Sequence, residues 1–261
     1  MATTTIPWDD GSGDNLYFSA DAFEGDQNVL VSSDANAGDQ RSKTVTFSAP
    51  GVEPKSLGII QLGSGSGSGG PIPAGYTPLR YVQTDSVAYI DTGISGNNNN
   101  LVIETLFEIS TYVQYGYVFG NYVSESQNCF RFILLSASNN SMNCNNRASS
   151  GTQSTFITGE KEYIKLSRGL AVWNGMKQTL NTTDGTANNA TILLGKGSSS
   201  QPKRDLGLKI YRFILTDGGT MVRDFLPAKR DSDNVGGLYD VINDTFYPSA
   251  SSTPFIAGPE V

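Results

Sequence analysis

Residues 63–70 read GSGSGSGG, eight positions with no side chain able to build a core and no charge able to hold a partner. Alternating Gly and Ser form a flexible coil whose ends lie roughly 15 Å apart. Such a stretch cannot join a hydrophobic core, so the chain on each side has to bury its own apolar residues. The 261 residues therefore read as a small front domain (1–62), a Gly/Ser/Pro linker (63–75) and a larger domain (76–261). Pro71, Pro73 and Pro78 stiffen the chain as the larger domain begins.

Both parts read as strand. Twenty-nine glycines and a charged fraction of only 16% suit short strands joined by tight turns, and argue against a helix-dominated fold. In the front domain NLYFSA (15–20), QNVLVSS (27–33), KTVTFSA (43–49) and SLGIIQL (56–62) are strand candidates, with turn chemistry in DANAGDQRS (34–42). Four or five such strands make a small sandwich that is marginal alone. In the larger domain LVIETLFEIS places Leu101, Ile103, Thr105, Phe107 and Ile109 on one face, opposite Glu104 and Glu108. Tyr81, Ala88 and Ile90 are the expected inward residues before it. Further strands follow at GYVFGNY (116–122), FRFILLS (130–136), EYIKLSR (162–168), LAVWNGM (170–176), ATILLGK (190–196) and LGLKIYRFILTD (206–217). Eight to ten strands with no intervening helices predict two antiparallel sheets packed face to face.

Charge is concentrated in front. Residues 1–70 carry nine acids against three bases, or −6; the remainder carries sixteen against fifteen, or −1. This balance disfavours nucleic acid and anionic membrane as partners. Neither a basic-plus-apolar leader nor a stretch of 18 apolar residues is legible, so neither signal peptide nor membrane insertion is expected. The chain has no histidine, which removes the commonest general base and neutral metal ligand. Cys129 and Cys144 flank a hairpin centred on Ser136–Asn139, leaving a cross-strand bond and two separate thiols both open.

No catalytic constellation is expected. Glu104 and Glu108 lie roughly 13 Å apart along one strand, beyond either glycosidase geometry. No spacing indicates a metal or cofactor, although Asp91 with loop carbonyls offers oxygen donors to calcium. Aromatic rings are the better lead, because sugar rings stack on exposed aromatic faces. Tyr112, Tyr115, Tyr117, Phe119 and Tyr122 fall within eleven residues, and Trp173 adjoins Asn174. The candidate sugar-binding residues are Tyr115, Tyr122, Asn121 and Trp173, with Asn128 or Asn145 beside them. The competing reading places most of these rings in the core or a subunit contact.

The opening LRYVQTDSVAYIDTGI (79–94) and the closing IYRFILTDGGTMVRDFLPAKRDSDNVGGLYDVINDTFY (210–247) resemble a recurrent domain of gut bacterial surface proteins and their phages. That family belongs with the concanavalin A-like and laminin-G-like jelly rolls. The opening motif is matched by Leu79, Tyr81, Val82, Thr84 and Tyr89 through Ile94. The closing motif is matched by 209–219, 221–230 and 237–247. The resemblance implies that Tyr89, Asp91, Gly93, Arg223, Asp224, Phe225, Tyr239 and Asp240 mark the fold, with Arg223 and Asp224 pairing locally. The E-x-D-x-x-E cluster of laminarinase-like relatives is missing, so hydrolase activity is not carried over. The front segment is similar to the small immunoglobulin-like domains common in Bacteroidetes and their phages. Together these resemblances imply an all-β, non-enzymatic virion surface protein: a head fibre, decoration protein or tail-associated adhesin. They imply a homotrimer, attached to other virion proteins through its front domain and presenting its jelly roll to host or mucosal glycans. A bacterial surface or secreted lectin and a jelly-roll glycoside hydrolase remain the alternatives.

Overall fold

The computed structural model describes residues 4–9, 13–18, 31–34, 41–49, 51–61, 72–85, 87–97, 99–124, 126–136, 139–144, 147–149, 158–174, 176–180, 186–197 and 205–261. The chain forms two compact units, Met1–Ala74 and Gly75–Val261.

In the first unit β1 (Thr4–Pro7), β2 (Asn15–Phe18) and β3 (Val31–Ser33) form a three-stranded sheet, and β4 (Arg41–Ala49) pairs with β5 (Val52–Gln61). Leu16 and Phe18 alternate with half-buried Asn15 and Tyr17, so one face of β2 is apolar. That face packs with Trp8 and with Val45 from the hairpin, against Ile6, Val31 and Ile59. The Asp34 carboxylate secures the sheet end, accepting from the Asn15 N–H at 2.9 Å and the Tyr17 hydroxyl at 3.0 Å. Of the strand expected over 27–33, the first four residues lie outside the described ones.

The second unit opens with β6 (Tyr76–Pro78), β7 (Val82–Gln83), β8 (Ile90–Ser95), β9 (Leu101–Ile109), β10 (Tyr117–Gly120) and β11 (Phe130–Ser136). There follow β12 (Asn139–Cys144), β13 (Arg147–Ser149), β14 (Lys161–Ser167), β15 (Leu170–Trp173), β16 (Met176–Thr179) and β17 (Thr191–Leu194). The chain closes through β18 (Leu208–Asp217), β19 (Thr220–Arg230), β20 (Val235–Asp240), β21 (Thr245–Pro248) and β22 (Ile256–Ala257). A six-stranded sheet runs β13-β12-β11-β10-β17-β8. The larger sheet runs β16-β15-β14-β9-β18-β19-β20-β21, with β6, β7 and β22 paired along it. Every strand pair of the second unit described here is antiparallel. This exceeds the eight to ten strands expected, because the closing segment after Asp217 folds into four more and the short β6, β7, β12, β13 and β16 carry little pattern of their own.

One core joins both sheets. Phe119 and Phe132 come from the smaller sheet, and Phe107, Phe213, Phe225 and Trp173 from the larger; all lie in a single buried cluster. Their rings interleave: Trp173 meets Phe132 edge-on at 5.1 Å, Phe132 lies 5.8 Å from Phe107, and Phe119 lies 5.9 Å from Phe213. Such pairs add about 0.5–1.5 kcal/mol each beyond area burial. The alternation expected on β9 holds, with Leu101, Ile103, Thr105, Phe107 and Ile109 all buried. Ala88 and Ile90 also point inward, but Tyr81 does not. Val82 takes the inward place, and Tyr81 packs outside against Tyr211, ring centroids 5.6 Å apart.

A polar clamp crosses this core at the closing motif. Asp240 is fully buried, its Oδ1 accepting the backbone N–H of Asp224 at 3.2 Å and of Ile242 at 3.1 Å. Its Oδ2 accepts from Asn243 Nδ2 at 2.7 Å and lies 3.4 Å from Arg223 Nε. Arg223 Nε also donates to the Thr92 carbonyl on the opposite sheet at 3.2 Å. Next to it Gly93 has φ +69°, a conformation that suits glycine, and its amide is held by the Asp91 carboxylate at 3.0 Å. The local Arg223–Asp224 pair expected from sequence is therefore not formed. Successive strand residues face opposite sides, so Arg223 turns into the sandwich towards Asp240 while Asp224 turns out to Arg212.

With Trp8→Phe as background, Trp173 fluorescence reports this unit alone. Asp240→Ala, which leaves Arg223 without its buried partner, is expected to cost about 3–5 kcal/mol in urea unfolding of the full chain. Phe213→Ala is expected to cost a similar amount through the cavity it opens. A loss below about 1 kcal/mol for Asp240→Ala contradicts the clamp.

Candidate functional site

The four sugar-binding candidates do not come together on one surface. Asn121 is fully buried and serves as a backbone clamp: its Oδ1 accepts the Phe130 N–H at 2.7 Å, and Nδ2 donates to the Ala190 carbonyl at 3.3 Å. Trp173 is 3% exposed, its ring against Phe132 and its indole N–H donating to Glu162 at 2.7 Å. Neither offers a ring or amide to a ligand. Tyr122 is half-buried beneath the Arg131 guanidinium, 4.3 Å from the ring centroid. Tyr115 does emerge, 48% exposed, in a turn where its φ is +63°. Tyr117 and Phe119 are buried, Tyr112 packs against the core edge, and Asn128 is buried with its Nδ2 3.4 Å from Asn97 Oδ1. Asn145 lies outside the described residues. Cys129 is buried, and Phe130 pairs in register with Cys144, so the expected hairpin forms.

The fold-marking residues have structural partners. Besides Arg223, Asp224, Asp240, Asp91 and Gly93, Phe225 is a core ring 6.3 Å from Phe213. The Tyr89 ring lies 4.8 Å from Lys196 Nζ, and its backbone N–H donates to Ser249 at 3.4 Å. The Tyr239 ring packs at a tilt against Tyr76, centroids 4.9 Å apart, and its hydroxyl donates to Asp244. Burial, with that hydrogen bond, pushes the Tyr239 phenol up to about 12. Among the described residues no cluster of three His, Cys, Asp or Glu is placed to hold a metal.

A different surface gathers aromatic and charged groups: the outward face of the larger sheet. Because the inward positions of β9, β14 and β18 are apolar except for Thr105 and Glu162, the alternate positions point away from the core. Register places Lys161, Glu108 and Lys209 side by side, Tyr163, Leu106 and Arg212 next, then Lys165, Glu104 and Ile214. A bulge between Ile210 and Arg212 puts Tyr211 and Arg212 consecutively outside, between inward Ile210 and Phe213.

These groups hold one another in place. Glu104 accepts from the Tyr163 hydroxyl at 2.6 Å and pairs with Lys165 at 2.9 Å. Glu108 accepts from Lys209 at 2.6 Å and the Tyr211 hydroxyl at 2.7 Å. Arg212 grips Asp224 through two bonds, at 2.9 and 2.7 Å. Lys161 Nζ lies 4.4 Å over the Tyr211 ring, and Lys209 Nζ 5.1 Å over the Tyr81 ring. Burial raises the Glu104 carboxyl, but the hydrogen bonds from Tyr163 and Lys165 and the charges of Lys165 and Arg212 outweigh it and hold the group below the usual carboxylate range. Glu108 is held low in the same way, its burial overcome by Lys209, Tyr211 and the charge of Lys161. Burial, then the glutamate partners, push the Tyr163 and Tyr211 phenols well up. Both carboxylates are thus anionic at neutral pH, acceptors of hydrogen bonds rather than proton donors.

Sequence reasoning passed over this face, treating Glu104 and Glu108 as ordinary polar positions. The usable signal was Lys161-x-Tyr163-x-Lys165 and Lys209-x-Tyr211, a two-residue beat of cation and phenol opposite apolar Ile164, Leu166 and Ile210. Compared with models of known protein families and with curated proteins, the chain shows no match.

Glutamates with lowered folded pKa values stabilise fully above the unfolded value of 4.5, and that stability is lost as pH falls through the folded values. Tyrosines with raised values stabilise fully below the unfolded 10.0 and lose that contribution as pH rises through the folded values. The urea midpoint of the second unit is therefore expected to fall below about pH 4.5 and above about pH 10. Glu108→Gln should flatten the acid limb; an unchanged acid limb contradicts the assignment.

Proposed function

We propose that this chain is a non-enzymatic surface-binding protein whose second unit, a concanavalin A-like or laminin-G-like jelly roll, holds glycans on the outward face of its larger sheet. The observation that carries this reading is the set of Tyr81, Tyr163 and Tyr211 on that face, interleaved with ionised, hydrogen-bonded side chains. Phenol rings take the apolar face of a pyranose, and fixed donors and acceptors read its hydroxyls. Pre-paired side chains also lose little freedom when a ligand arrives. The non-catalytic part of the reading is supported by the glutamates: roughly 13 Å of strand separates Glu104 from Glu108, and both are held ionised. The first unit, read as immunoglobulin-like, is the attachment module. Its setting in a virion, as a homotrimer joined to other virion proteins, rests on the sequence resemblance.

A glycan array probed with the full chain is expected to show retention that Tyr211→Ala or Tyr163→Ala lowers about tenfold. Tyr163→Phe, which keeps the ring, should stay within about threefold, and Tyr115→Ala within about twofold. An array with no retained glycan removes the reading. So does polysaccharide turnover abolished by Glu104→Gln, which would make the face catalytic.

A further inference from the structure

We infer that the glycans held by this face are acidic, their carboxylate received by Lys161 beside the Tyr211 ring. This rests on the glycan-binding reading and names its ligand class. On the outward positions of β14, β9 and β18, with Asp224 of β19 alongside, four cations (Lys161, Lys165, Lys209, Arg212) face three carboxylates (Glu104, Glu108, Asp224). Each carboxylate has its own cation: Glu104 has Lys165 at 2.9 Å, Glu108 has Lys209 at 2.6 Å, and Asp224 has Arg212 at 2.7 Å. The fourth cation, Lys161, acts on Glu108 at longer range but has no ion pair of its own among the described residues. Lys161 is exposed, and its Nζ lies on the Tyr211 ring with no carboxylate within ion-pair distance among the described residues. Its neighbour across the strand pair, Glu108, is already engaged by Lys209 and by the Tyr211 hydroxyl.

An exposed cation–π contact is worth only about 0.5–1 kcal/mol. Lys161 can therefore leave the ring at little cost, opening Tyr211 for stacking and giving its ammonium a charge-assisted hydrogen bond to a sugar carboxylate. A neutral sugar would take the ring but leave the surplus charge unanswered. Residues 71–261 carry a net charge of only −1, so the attraction is local and acts within a Debye length, about 10 Å at 0.1 M salt.

The test uses the full chain against immobilised hyaluronate, alginate and polygalacturonate, each beside its carboxyl-reduced, neutral counterpart. The acidic members are expected to be retained at least about fivefold more tightly than their reduced partners. Lys161→Ala should erase that preference and Lys161→Arg keep it, while Tyr211→Ala weakens acidic and reduced glycans together. Equal retention across the pairs, or a preference untouched by Lys161→Ala, overturns the acidic specificity and leaves the glycan-binding reading standing. Retention of none of these glycans, acidic or reduced, overturns both.

Discussion

The two-residue period of the β-strand is the constraint on which this molecule depends. It sends neighbouring side chains to opposite sides of a sheet, so each strand contributes at once to the interior and to a surface. Arg223 and Asp224 show the consequence. One turns inward to Asp240 and the Thr92 carbonyl, tying the two sheets together; the next turns outward and fixes Arg212 in the charged face. A one-residue slip of β19 would exchange these places, turning Asp224 to the core side away from Arg212 and Arg223 to the outward side. Core register and surface chemistry are therefore set by the same backbone.

The outward face is knit together by its own side chains. Hydroxyls of Tyr163 and Tyr211 point at carboxylates on the neighbouring strand, and the lysines either pair with those carboxylates or lie over rings. Arg212 and Tyr211 reach the same side only because the bulge after Ile210 adds a residue. Preorganised groups of this kind favour recognition, since orienting them has already been accomplished by folding.

Much of the architecture was legible in the chain. The alternation over Leu101–Ile109 reads directly from its two-residue period, while the Ser136–Asn139 hairpin and the strand over Leu208–Asp217 read as apolar runs bounded by turn residues. Other features resisted. Asn121 and Trp173 looked available because Asn and Trp suit sugar sites, but burial is a tertiary property: Asn121 closes backbone groups of neighbouring strands, and Trp173 completes an aromatic core assembled from distant segments. The Arg223–Asp240 pairing spans a hairpin and could not be told from a local Arg–Asp pair without knowing which side each residue faced. The outward face stayed hidden because its members come from β9, β14 and β18, and only register makes them neighbours.

The most direct measure of where a ligand lies is a backbone amide NMR titration of the full chain with a uronic acid oligosaccharide. The account predicts that the perturbed amides cluster on β9, β14 and β18 around Leu106, Lys161, Tyr163 and Tyr211. Perturbations confined to Tyr115 and Tyr122, or to the first unit, would contradict it.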